Sequence, residues 1–171
     1  MPDTEKISVY LVDDDILFLK SLEHHLQHKL KYFVQIKPFH SGEEFIKHMK
    51  EKPDIVVLDY LLNGSSASLN GMDVLRQIKT ESPETTVIML SGQDKLEIAI
   101  ETIKHGPYDY VVKNENAFLK TQNLIRNAIT SISLSRQVKN YNYWIKVILT
   151  IIGLIILAAL IVEKFFQNIL H

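Results

Sequence analysis

The stretch Ile7-Ser8-Val9-Tyr10-Leu11-Val12-Asp13-Asp14-Asp15 decides the fold of this chain. It begins as an apolar run rich in β-branched residues, which is typical of a strand that is covered on both faces. It ends in three consecutive acids. In open α/β sheets, functional groups lie where the parallel strands end. The sequence therefore predicts a parallel sheet with an acidic site at the carboxyl end of its first strand.

The alternation of strand-like and helix-like segments continues over the first 115 residues. Further strands are predicted at Tyr32–Ile36, Ile55–Leu58, Thr86–Leu90 and Tyr108–Val112. Apolar residues at helical spacing predict a helix after each of the first four strands. Their apolar faces are Ile16, Leu19, Leu22 and Leu26; Phe45, Ile46 and Met49; Met72, Leu75 and Ile78; and Leu96, Ile100 and Ile103. A fifth helix is expected to begin near Asn116 and to run far, so the fold class is a doubly wound α/β sheet of five parallel strands.

Charge is distributed unevenly along the 171 residues. Residues 1–119 carry 19 acids and 13 bases, a sum of −6, whereas residues 120–171 carry one acid and six bases, a sum of +5. The acidic front half argues against a nucleic-acid partner, which requires a basic face. Cysteine is absent, which excludes disulfide and thiolate chemistry.

Four of the predicted strands end in residues that can act together. Asp13 and Asp14 follow the first strand, Asp59 follows the third, Ser91 the fourth and Lys113 the fifth. Crowded carboxylates raise one another's pKa, and a divalent cation relieves that conflict. Oxygen ligands without His or Cys suit Mg²⁺ or Mn²⁺. The set predicts phosphoryl transfer onto a carboxylate, although each acid taken singly could instead be a helix cap or a turn residue.

Over residues 5–130 the chain resembles the response-regulator receiver domain of the CheY-like two-component family, whose fold is flavodoxin-like. The resemblance implies that Asp59 is the phosphoacceptor and that the donor is the phosphohistidine of a sensor histidine kinase or a phosphotransfer protein. It also implies the roles of the other site residues. The metal ligands would be Asp13, Asp14, Asp59 and the carbonyl of Leu61; the catalytic residues Asp59, Lys113 and Ser91; and the switch residues Ser91 and Tyr110.

Two positions depart from the family pattern. Asn114 follows Lys113 where the family usually has Pro, which predicts a differently built loop after the lysine. The segment Asn63–Asn70 makes the connection from Asp59 to the next glycine about four residues longer than usual. The longer loop either alters access to the phosphorylation site or is a neutral surface insertion.

The tail is dominated by an uninterrupted apolar run. Val147–Val162 contains 16 residues with Thr150 as its only polar member, and Tyr141, Tyr143 and Trp144 precede it as an aromatic belt would. At about 1.5 Å per residue the run is roughly 24 Å long, so flanking residues are needed to span a hydrocarbon core of about 30 Å. We predict a helical linker at residues 131–143, a transmembrane helix at 144–166 and a short tail at 167–171. The alternative is a buried dimerisation helix.

Basic residues before the apolar run predict its orientation. Lys120, Arg126, Arg136, Lys139 and Lys146 precede the run without an intervening acid. The positive-inside rule then places the receiver in the cytoplasm, with a single-pass C-terminal anchor.

The sequence as a whole predicts a membrane-tethered, stand-alone receiver. It would be phosphorylated on Asp59 with Mg²⁺ or Mn²⁺, and it would switch protein interactions or oligomeric state. The expected partners are the kinase or phosphotransfer protein, an unidentified output protein and the membrane, and a homodimer is left open. The alternative is a degenerate receiver that is never phosphorylated and acts as a membrane-anchored binding module. A phosphatase is disfavoured because Leu61 stands where such enzymes need a second acid.

Overall fold

The computed structural model describes residues 6–30, 34–62, 69–92 and 106–169, with side chains to residue 158. The chain divides into two compact units between Thr130 and Ser131. Its strands and helices are β1 (Ile7–Val12), α1 (Ile16–Leu30), β2 (Val34–Phe39), α2 (Gly42–Ile46), β3 (Ile55–Asp59), α3 (Gly71–Glu81), β4 (Thr86–Ser91), β5 (Asp109–Val112) and the C-terminal helix (Ala117–Ile169), with a 3₁₀ turn at Met49–Glu51.

The five strands form one parallel sheet in the order β2-β1-β3-β4-β5. The order reverses between β1 and β3, which makes the space beyond their carboxyl ends the switch point of a doubly wound sheet. Register aligns the ends of the strands, because Asp59 pairs with Leu90 and Ser91 pairs with Val112. The predicted fold class is confirmed, and its sheet brings the polar residues at the carboxyl ends of β1, β3, β4 and β5 to one edge.

Apolar side chains alternate between the two faces of the sheet. Tyr10 and Val12 belong to a buried cluster with α2 and α3, in which Phe45, Leu75 and Ile78 are almost fully buried. The intervening residues of β1 face the other way, since successive side chains of a strand alternate. Strand β3 is buried along its whole length, as a central strand between two layers of helices should be.

Three predicted elements differ in the structure. Strand β2 extends to Phe39 although Pro38 lies within it, because β2 is an edge strand and an edge tolerates a residue without an N–H. Ile16 is 51% exposed, so the buried face of α1 begins at Leu19 instead. The second helix ends at Ile46 and a separate 3₁₀ turn carries Met49. The predicted fourth helix lies outside the described residues.

The C-terminal helix begins at Ala117, one residue from the predicted start, and it continues to Ile169. Ala117, Ile125 and Ala128 are buried in the first of the two units. In the second unit the large apolar side chains from Leu134 to Leu157 are exposed. By length and composition this helix could span a membrane. An 18-residue stretch within Ala117–Ala158 has a mean hydropathy of 1.8, and none of its residues is buried.

Candidate functional site

Three carboxylates meet at the carboxyl edge of the sheet. Oxygen atoms of Asp13, Asp14 and Asp59 all lie within 4.8 Å of one another. Asp13 and Asp59 are buried, with 2% and 4% of their surface exposed, and Asp14 is half-buried. Burying several acids in contact costs free energy unless cations compensate for them. Among the described residues, this edge is therefore the one place where three carboxylates cluster while two of them are withdrawn from water.

Lys113 is the protein's own cation at this cluster. Its Nζ lies 2.8 Å from Asp13 Oδ2 and 2.9 Å from Asp59 Oδ2, and its side chain is only 16% exposed. The ammonium therefore bridges the acid that follows β1 and the acid that ends β3. One ammonium balances one of the two buried carboxylates, so the pair with Lys113 still carries an excess negative charge before Asp14 is counted.

The excess charge shifts the protonation of the site. The pKa of Asp13 is raised to about 6, chiefly by burial and also by the neighbouring Asp59, while Lys113 and the Asp15 backbone offset only part of this. Burial likewise raises the pKa of Asp59, against the opposing effects of Lys113 and the Leu61 backbone. Burial alone would lower the pKa of Lys113, but its contacts with the two acids outweigh burial and raise it. The lysine is thus held in its charged form.

The donor set fits a hard divalent cation. Asp59 Oδ1 and Asp13 Oδ2 are buried without a hydrogen bond in the described structure, although Asp13 Oδ2 has Lys113 Nζ as an ionic neighbour. Buried polar atoms normally have a partner, so such oxygens beside a third carboxylate suggest a bound ion. Oxygen ligands favour Mg²⁺ or Mn²⁺ over softer metals. The three carboxylates could hold such an ion; the role of the Leu61 carbonyl stays a prediction.

Asp15 shows that helix capping also operates in this acidic run. Its Oδ1 accepts hydrogen bonds from the backbone N–H groups of Leu17 and Phe18, each at 3.0 Å, and so caps the first turn of α1. Its own N–H donates to Asp13 Oδ1 at 3.0 Å. The alternative interpretation of the acids as caps therefore applies to Asp15, and it leaves Asp13 Oδ2 directed to the cluster.

The two residues of the predicted switch lie on neighbouring strands. Ser91 ends β4 and is fully buried, and its carbonyl accepts a hydrogen bond of 2.7 Å from the Lys113 N–H. Tyr110 lies on β5, is half-buried and packs against the apolar cluster beneath α2 and α3. The structure thus brings Ser91 next to the lysine. The switching roles of both residues stay predictions.

A glycine packs closely against the backbone at Asp59. A Cβ on Gly71 would lie 2.1 Å from the Asp59 carbonyl oxygen and 2.8 Å from the Tyr60 Cα, which no side chain can tolerate. Its N–H donates to the Tyr60 carbonyl at 3.2 Å. Gly71, at the start of α3, therefore lies directly against the carboxyl end of β3. Glu43 helps to hold the chain just before it, since its Oε1 accepts a hydrogen bond of 2.7 Å from the Leu69 N–H.

The turn after Lys113 is built without the family's proline. The peptide bonds of the described chain are all trans. The Asn114 N–H donates to the Val112 carbonyl at 2.9 Å, and its side-chain Oδ1 accepts from the Asn116 N–H at 3.0 Å. Asn114 therefore supplies hydrogen bonds that a proline could not make.

The acids, the lysine and the doubly wound sheet together define a class of protein. The model of the response regulator receiver domain family matches residues 9–124, and the chain belongs to that family. Receiver domains are phosphoacceptor signalling domains of two-component systems.

Individual relatives agree with this assignment. The chain is 29% identical over 103 residues to the chemotaxis protein CheY of Thermotoga maritima, covering 60% of this chain and 82% of CheY. It is 36% identical over 88 residues to the nitrogen assimilation regulatory protein NtrX of Azorhizobium caulinodans, covering 52% of this chain but only 19% of NtrX. A receiver domain structure from Clostridium thermocellum is similar with a TM-score of 0.64 and 27% identity, covering 75% and 98% of the two chains.

Proposed function

We propose that this chain is a membrane-tethered receiver that accepts a phosphoryl group on Asp59 from the phosphohistidine of a histidine kinase or a phosphotransfer protein. The observation that carries the proposal is the contact of Lys113 with two buried acids, Asp13 and Asp59, at 2.8 and 2.9 Å. A buried excess of carboxylate with one fixed ammonium has little use in a purely structural site, because it destabilises the fold.

In the proposed reaction an Asp59 carboxylate oxygen attacks phosphorus. The O–P bond forms while the P–N bond of phosphohistidine breaks, and the electron pair of that bond returns to the imidazole nitrogen. A divalent cation bound by the three acids would neutralise their charge and that of the phosphoryl oxygens. Lys113 holds positive charge beside the oxygens that Asp59 receives, and Ser91 is proposed to offer its hydroxyl to one of them.

Mass spectrometry tests the chemistry directly. The protein is incubated with acetyl phosphate and Mg²⁺, and we expect one phosphoryl adduct that is absent when EDTA replaces Mg²⁺. Asp59→Asn, which keeps the shape of the side chain, should abolish the adduct. An adduct that persists in Asp59→Asn would place the nucleophile elsewhere. No adduct in the wild type, together with no response to beryllofluoride, would favour the degenerate binding module.

Membrane attachment is proposed from the second unit alone. Its large apolar side chains are exposed, and the rings of Tyr143 and Trp144 lie 5.9 Å apart just before the apolar run. Exposed apolar surface of this extent is costly in water, and aromatic pairs are common at the membrane interface. Basic residues on the receiver side support a cytoplasmic receiver.

Carbonate extraction tests the attachment. The full-length chain should stay with the membrane pellet, whereas a truncation that ends at Lys139 should be soluble and should still accept phosphate. Full-length protein that is soluble without detergent would show that the apolar run is an oligomerisation helix.

A further inference from the structure

Lys113 has a third neighbour that is not an acid. Its Nζ lies 4.7 Å from the centre of the Phe18 ring, within the range of a cation–π contact. Phe18 is half-buried on the first turn of α1, and its N–H is held by Asp15 Oδ1. The ammonium is therefore enclosed by two carboxylates, Asp13 and Asp59, and by one aromatic ring.

The ring of Phe18 is itself held in place. Phe118, on the first turn of the C-terminal helix, meets it edge to face at 5.2 Å with an interplanar angle of 70°. The ring of His25 lies 5.7 Å from the ring of Phe118. A ring nitrogen of His25 also pairs with Gln122 Oε1 at 2.9 Å, which joins α1 to the C-terminal helix a second time. Phe18 thus packs against Phe118, which in turn contacts His25, and all three residues belong to the same compact unit.

We infer that Phe18 is a positioning residue for Lys113 in the phosphoryl transfer, an inference that rests on the function proposed above. The face of an aromatic ring attracts a cation through its quadrupole but offers no lone pair. It therefore limits where the ammonium can go without competing with the oxygens that Lys113 must reach. A polar side chain or water at the same place would accept a hydrogen bond from Nζ and would draw the ammonium away from Asp59.

The same contact explains why a bulky ring occupies this place beside an acidic site. The Phe18 ring centre lies 4.7 Å from the ammonium, and the Lys113 side chain is only 16% exposed. Charge interactions strengthen when water is kept away. The ring therefore serves the reaction by holding Lys113 and by shielding it from water.

A graded substitution separates this electrostatic role from simple packing. Phe18 is replaced by mono-, di- and trifluorophenylalanine, which withdraw electron density from the ring face while almost preserving its size. The rate of phosphorylation by acetyl phosphate, in which acetate leaves as the O–P bond to Asp59 forms, is measured at saturating Mg²⁺ together with the thermal midpoint. We expect the phosphorylation rate to fall stepwise with fluorination. Phe18→Leu, which removes the aromatic ring altogether, should lower the rate about tenfold. The midpoint should not change across the fluorinated series.

Leu17→Ala is the matched control, because Leu17 is the preceding residue of the same turn and is 79% exposed. It should react at the wild-type rate. A trifluorophenylalanine variant that is phosphorylated as fast as the wild type would overturn the inference and leave the proposed function intact. A wild type that accepts no phosphoryl group would overturn the proposed function, and this inference with it.

Discussion

Replacing Asp13 by Asn should stabilise the metal-free protein. The pKa of Asp13 is raised from its ordinary value of 3.8 to about 6, chiefly by burial. At neutral pH the folded protein must therefore keep this carboxylate ionised against its environment. Each step of one in pKa corresponds to about 1.4 kcal/mol, so the ionised group costs the folded state about 3 kcal/mol. Asn has the same shape and no charge, and it removes that cost.

The pH dependence follows from the direction of the shift. Because the folded-state pKa lies above the unfolded one, the folded state holds more protons between pH 4 and pH 6, roughly. The contribution of Asp13 to the free energy of unfolding of the wild type is therefore highest at pH values below the pKa of Asp13 in the unfolded state. It falls as pH rises through the folded pKa of about 6. Asp13→Asn lacks this term, so the difference between the two proteins should be largest above pH 7 and should vanish near pH 4, roughly.

Urea unfolding with EDTA present, at a series of pH values, measures the difference. Added Mg²⁺ should then reverse the order, since it stabilises the wild type by binding only the folded site and has much less effect on Asp13→Asn. Leu17→Ala, on the exposed side of α1, keeps Asp13 and serves as a control that should show the same pH dependence and Mg²⁺ response as the wild type. If Asp13→Asn were less stable than the wild type at pH 8 without metal, the burial argument would be refuted.

Three further predictions concern neighbouring residues. Asp14→Ala should abolish Mg²⁺-dependent phosphorylation while raising the metal-free thermal midpoint slightly; unfolding with unchanged metal affinity would instead assign Asp14 to helix capping. Gly71→Ala should cost about 2 kcal/mol or more in urea unfolding, because its Cβ would overlap backbone atoms, whereas Gly92→Ala has open space and should cost well under that. Asn114→Ala should cost about 1 kcal/mol through the lost hydrogen bond from the Asn116 N–H, and Asn116→Ala should cost less; equal costs would contradict the stabilising role of the Asn114 side chain.

The fold was predictable because its strongest signals are local and repeated. The apolar runs of β1, β3 and β4 are buried on both faces, so they stand out in the sequence without any knowledge of their neighbours. Parallel connection then places their carboxyl ends together. That is why Asp13 and Asp59 could be assigned to one edge before any distance was known.

The elements that differ depend on information that a local pattern lacks. A proline such as Pro38 would interrupt a central strand, but an edge strand tolerates it. The sequence does not show which strand lies at the edge. Ile16 has helical spacing with Leu19, yet it lies at the first turn of α1, before the helix reaches the sheet. The break after Ile46 follows from tertiary packing of a helix too short to be stable alone.

Phe18 illustrates a stronger limit. Nothing in the sequence separates it from Leu17 or Leu19, which are also apolar and stand beside it. Its role becomes visible only in the folded structure, where Lys113, after β5, and Phe118, on the C-terminal helix, both contact its ring. Both contacts join residues about a hundred positions apart, so periodicity could not have indicated them.

The missing proline after Lys113 bears on the site less than the family pattern suggests. The position of that lysine is fixed by its own N–H, which donates to the Ser91 carbonyl at 2.7 Å and so extends the pairing of β4 with β5 by one residue. Its ammonium is then drawn to two buried carboxylates, whose attraction does not depend on the residue that follows. Asn114 acts instead on the start of the C-terminal helix, through the hydrogen bond of 3.0 Å from the Asn116 N–H. The departure therefore changes how the turn leads into the helix, and the charge arrangement on which phosphoryl transfer would depend is preserved.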